Sequence, residues 1–125
     1  KIRKGFAANN RFQDIVRENF ALGRTGNDVF TASVEQAKKE GIRPCLYSHP
    51  CNVYGHGPGT IIGLYTQQEE IPVRGDIRLD HDTVFALELN VQYEDMTFYS
   101  EETVLFDTSG VQFLYPGRDE IYFIK

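Results

Sequence analysis

Along the first twenty residues, Ile2, Phe6, Phe12, Val16 and Phe20 recur at spacings that fit one face of a helix, and Lys, Arg, Asn, Gln and Glu fill the rest. Gly23 stops that pattern. Thr25, with Asp28 three residues on, supplies a capping side chain and an acidic group for the free amides of a second helix. This helix is predicted from about Gly26 to Glu40, with Val29, Phe30, Val34 and Ala37 inward and Gly41 closing it. Beyond Pro44 the pattern changes. Cys45 to His49 is a short extended run, and Gly55 to Gly63 is glycine-rich. From Thr83 to Tyr93, Phe85, Leu87, Leu89, Val91 and Tyr93 alternate with Val84, Ala86, Glu88, Asn90 and Gln92, the period of a strand. Thr103 to Phe106 and Val111 to Leu114 flank the turn Asp107-Thr108-Ser109-Gly110, and Glu120 to Ile124 reads as a final strand. Two helices followed by five or six strands, without alternation, predict an α+β fold: an antiparallel sheet covered on one face by helices.

Composition narrows the function classes. A chain of 125 residues is expected to make a single domain, residues 1–125, too small for a multidomain enzyme. A net charge of -5 offers no basic surplus for phosphates, so neither nucleic acid nor an anionic membrane is an expected partner. Apolar runs are too short for a transmembrane helix or a signal peptide. Lys1 rather than Met stands first, which reads as a processed product or a piece of a longer protein. Cys45 and Cys51 either close a small loop, if the compartment is oxidising, or remain thiols.

Candidate chemistry begins with His49, His56 and His81, because imidazole is both a base near neutral pH and a metal ligand. Each taken singly also reads as a structural or solvated side chain, and His81, between two aspartates, is given no role. Glu88 stands mid-strand among apolar neighbours, where an unpaired buried carboxylate costs several kcal/mol. A metal ion, another cation, or solvent on the face shared with Asn90 and Gln92 would compensate. Glu101 and Glu102 are expected to open the next strand and so to bring a second carboxylate beside Glu88, as divalent cations require.

The run from His56 to Leu64, then Leu87-Glu88 in a strand, then Glu101 to Phe106 ending in a turn glycine, resembles the C-terminal half of the pita-bread metallopeptidase fold. That family includes methionine aminopeptidase, aminopeptidase P, prolidase and creatinase. The resemblance implies two divalent metals, Mn, Co or Zn, bridged by a hydroxide and held by two aspartates, one histidine and two glutamates. By position Glu88 matches the first metal-binding glutamate, Glu101 the second, and His56 a substrate-side histidine. Thr60 and Gln67 occupy positions where the family has histidines, and Leu89 and Asn90 replace a proline and a glycine. The aspartate pair would fall N-terminal to Lys1. A second register, requiring four extra residues before Ile62, makes His56 the metal ligand instead. Both leave an incomplete ligand set, which implies that this chain binds no cation tightly.

The resemblance therefore implies the C-terminal part of a protein similar to Xaa-Pro aminopeptidase, with a degenerate metal site and no peptidase activity in the isolated chain. The alternative is a metal-free member that binds peptides or proteins. Expected partners are a peptide or protein ligand, the missing N-terminal half of the domain, and a second copy in a homodimer.

Overall fold

The computed structural model describes residues 2–51 and 60–113. Its elements are α1 (Ile2–Asn19), α2 (Gly26–Lys39), β1 (Arg43–Leu46), β2 (His49–Pro50), β3 (Thr83–Tyr93), β4 (Met96–Asp107) and β5 (Gly110–Phe113). The start of α2 follows from its capping residues. Thr25 Oγ1 accepts from the Asp28 amide at 3.1 Å, and the Asp28 carboxylate accepts from the Thr25 amide at 3.0 Å. Loop atoms take the other first-turn amides: the Thr60 hydroxyl and the Ile77 carbonyl accept from Gly26, and the Gly75 carbonyl from Asn27. The end of α2 is satisfied in turn, with Gly41 at φ +79 just beyond it.

The inner stripe of α1 runs through Gly5, Asn9, Phe12, Gln13, Ile15 and Val16. This departs from the predicted stripe at its start, where Ile2 is 45% exposed. Gly5 faces the sheet there, so close to the Phe98 ring that a β-carbon would overlap it.

All strand pairs are antiparallel, in the order β1-β3-β4-β5, with β2 also on β3. Both helices cover one face. Phe85, Leu87, Leu89 and Val91 point into this layer and join Leu46, Val104, Phe106 and Val111 in one core with Phe12, Ile15, Val16, Val29 and Phe30. The Phe20 ring meets Phe85 edge-on at 5.2 Å and Phe106 at 5.6 Å, tying the end of α1 to two strands. The α+β architecture expected from the sequence is the one observed.

Two elements differ from expectation. β4 opens at Met96, not at Glu101, because Glu94 and Asp95 alone turn the chain between Tyr93 and Met96, with Glu94 at φ +58. Glu101 is therefore mid-strand. The extended run after Pro44 divides into β1 and β2, for a reason given below. The expected strand Glu120 to Ile124, Leu114 and His56 lie outside the described residues. Among the described residues no helix is long and apolar enough to cross a membrane.

Candidate functional site

The face of the sheet away from the helices carries the chemistry. Along β3 it presents Ala86, Glu88, Asn90 and Gln92, and the β3–β4 register sets Thr103, Glu101, Tyr99 and Thr97 directly opposite them. Glu88 thus stands opposite Glu101, the two carboxylates that the sequence suggested would converge. Like charges directly opposite one another destabilise a sheet. The pairing holds because the other face fixes it: a slip of one residue would carry Leu87 and Leu89 out of the core.

A break between β1 and β2 positions a third group. Leu46 pairs with Leu89 and His49 with Ala86, so one register runs through both strands. Between them Ser48 turns its backbone away to Ile62, with both amide-to-carbonyl bonds at 3.0 Å. Its hydroxyl takes over on the β3 side, accepting from the Glu88 amide at 3.0 Å and donating to the Glu88 carbonyl at 3.1 Å. The Tyr47 amide donates to that carbonyl as well. The backbone of Glu88 is held by these bonds, and the next residue, His49, sets its Nε2 2.7 Å from Glu88 Oε2. His49 Nδ1 lies 3.2 Å from the Pro50 carbonyl. With an acceptor at each nitrogen, a singly protonated ring serves only one of them at a time. His49 is thus in the site, although its local sequence reads equally as a solvated histidine.

Beyond this trio the face becomes aromatic and partly enclosed. Cys45 lies opposite the buried Asn90 in the β1–β3 register, and Tyr47 meets Tyr65 edge-on at 5.1 Å. Burial raises the pKa of the Cys45 thiol and of the Tyr47 phenol, partly offset by hydrogen bonding to Asn90. The Cys51 thiol is also raised, first by burial and then by the negative charge of Glu101 and Glu88. Both cysteines are free thiols.

The remaining candidates lie elsewhere. Thr60 is buried, and its hydroxyl serves the amide of Gly26 at the start of α2. Gln67 bridges to Leu64 through its backbone and donates its side-chain amide to Glu69 at 3.1 Å. His81 packs 5.0 Å from the Phe106 ring. The donor chemistry of Glu88 and Glu101 suits a divalent cation. Among the described residues, however, no group of three or more His, Cys, Asp and Glu side chains gathers to hold one.

No family model and no curated protein matches this sequence. Solved structures do match. An X-Pro aminopeptidase from Thermotoga maritima superposes with a TM-score of 0.68 at 19% identity, over 94% of this chain and 32% of that one. A dipeptidase from Pyrococcus horikoshii does so with a TM-score of 0.65 at 17% identity, over 90% of this chain and 30% of that one. The chain spans about a third of the length of these structures. At such identities the likeness establishes the fold: this antiparallel sheet with its two helices is that of the pita-bread aminopeptidases.

Proposed function

We propose that this chain supplies the carboxylate half of a peptide-binding site in a protein similar to Xaa-Pro aminopeptidase, with a metal site reduced relative to that family. The observation that carries the reading is the direct opposition of Glu88 and Glu101 on the open face. Two carboxylates held side by side draw a cation, and a peptide's N-terminal ammonium is one such group. Glu88 and Glu101 would also hold a divalent ion, Mn, Co or Zn, which when bound brings the pKa of water toward neutrality. The chain's own residues do the rest. Ser48 fixes the backbone of Glu88, and His49 sets its Nε2 against Glu88 Oε2. Two carboxylates leave most of a cation's coordination open, so metal is held weakly and the isolated chain hydrolyses nothing.

One contact favours a second reading, a metal-free module that binds peptides. His49 already engages Oε2 of Glu88, a carboxylate that would otherwise be open to a metal. Calorimetric titration with Mn²⁺ and with the peptide Ala-Pro-Ala, with and without chelator, separates the two. The reduced metal site predicts Mn²⁺ binding at about millimolar strength that is lost in Glu88→Gln and Glu101→Gln. Peptide binding unaffected by chelator would select the metal-free module. Metal-dependent cleavage of Ala-Pro-Ala by this chain would overturn the reduced site, and peptide binding indifferent to Glu88→Gln would overturn both readings.

A further inference from the structure

A cleft of about 510 Å³ opens on the same face as the carboxylate pair, between the end of α2 and strands β1, β3 and β4. Its position follows from the register. Stepping along β3 from Glu88 through Asn90 to Gln92, the opposing residues on β4 run Glu101, Tyr99, Thr97, and those on β1 run from Cys45 to Arg43. The face is therefore polarised. Glu88 and Glu101 make one end negative, while the side chains that line the cleft at the other are cationic, Lys38 from the last turn of α2 and Arg43, with Glu94 and Asp95 in the adjoining hairpin turn outside the lining. Arg43 donates one Nη2 bond to the Glu94 carbonyl at 2.9 Å, which holds the guanidinium at the hairpin end of the cleft, and a guanidinium has further N–H donors to offer. Tyr65 and Tyr99, 58% and 65% exposed, are lining residues with flat apolar surfaces between these poles. Lys38 by itself reads as a cation complementing a helix C-terminus. That reading accounts for neither Arg43 nor the exposed rings.

We infer that this cleft takes the C-terminal carboxylate of a short peptide whose N-terminus lies at Glu88 and Glu101. The inference rests on the reading of the carboxylate pair as a seat for a peptide N-terminus, and it adds a length and a second charged anchor. Four residues of strand, from Glu88 to Gln92, span about 13 Å. An extended peptide covers about 3.3–3.6 Å per residue, so a ligand of about three or four residues reaches both poles. A dipeptide falls short, and a long chain places its carboxylate outside the cleft.

The test uses this chain and four probes: Ala-Pro-Ala, its C-terminal amide, its N-acetyl form and the pentapeptide Ala-Pro-Ala-Ala-Ala, each titrated by calorimetry or amide chemical shift. Amidation is expected to weaken binding about three- to tenfold, the range for a solvent-accessible carboxylate losing cationic partners. The pentapeptide should bind no better than the amide. The double variant Lys38→Gln with Arg43→Gln should bind acid and amide alike, at the affinity the unaltered chain shows for the amide, while remaining sensitive to acetylation. Both positions are exposed, and an unchanged circular dichroism spectrum checks the fold. If the unaltered chain discriminates against acetylation but accepts acid and amide equally, this inference falls and the carboxylate seat stands. If it is indifferent to both, or binds none of the probes, both fall.

Discussion

Leu87 and Glu88 are neighbours in sequence on opposite faces of one strand. Leu87 is wholly buried beneath the helices, in a core that includes Leu89, Val91 and Val104. The Glu88 side chain is 24% exposed, opposite another carboxylate, and bonded to a histidine from the neighbouring strand. The covered face supplies the free energy that fixes the register. The open face accepts a pairing that would not form for its own sake. An unfavourable cross-strand pair inside a well-fixed register marks a position where something other than stability is served.

The sharpest way to break this contrast is to change the two residues separately. Leu87→Ala removes a fully buried side chain and is expected to cost about 2–5 kcal/mol, measured by urea unfolding. Glu88→Gln removes one of two opposed charges and weakens the bond to His49, effects that oppose each other, so stability should stay within about 0.5 kcal/mol. A loss above about 2 kcal/mol from Glu88→Gln would show that the open face also holds the fold together.

Ser48 joins the two faces. Its side chain is buried, and its hydroxyl replaces the ladder bonds that its own backbone gives to Ile62. Ser48→Ala leaves the Glu88 amide without a partner and should cost about 1–3 kcal/mol. Faster hydrogen exchange at the Glu88 amide than at those of Leu87 and Leu89 would locate the loss. Uniform acceleration across β3 would mean that Ser48 supports the whole sheet instead.

The legible parts of the sequence were those whose signals are local. Thr25, Asp28 and Gly41 bound α2 within a few residues of where they stand, and the alternation from Thr83 to Tyr93 matches β3 to the residue. The first half of β4 was hidden because Glu94 and Asp95 turn the chain without a glycine, so no turn signal precedes Met96. Two site features depend on contacts between distant residues. The Ser48 bonds to Glu88 cross 40 positions, and His49 is drawn in by the same strand pairing. Thr60 belongs with them: its burial comes from the amide of Gly26, 34 residues away, which no local pattern announces. Glu88 was legible as the odd polar residue of its strand, but Glu101 and Glu102 point to opposite faces, and only the β3–β4 register, with Glu101 in mid-strand, sets one of them opposite Glu88.

The smallest expected effect lies on the solvent side of the two helices, where a charge pair also acts, this time between opposite signs. Arg11 of α1 gives two bonds to Glu40 just past α2, Nε to Oε1 at 2.9 Å and Nη2 to Oε2 at 2.8 Å, and Gln36 adds a third at 2.7 Å. A carboxylate at that end of a helix meets the unfavourable pole of its dipole, and the Arg11 guanidinium reverses the balance. Hydrogen bonding from Arg11, then from Gln36, lowers the Glu40 pKa from 4.5 to about 2. A carboxyl group held lower in the folded state than in the unfolded one stabilises the fold above its unfolded pKa and loses that contribution as the pH falls. The urea midpoint of the unaltered chain should therefore exceed that of Arg11→Gln near pH 6, with the gap shrinking as the pH drops from about 4.5 toward 2. The gap should be small and should narrow further in high salt, because both groups are exposed to solvent. A gap that persists unchanged to pH 2 would assign the benefit of Arg11 to the packing of its stem between the helices instead of to its charge.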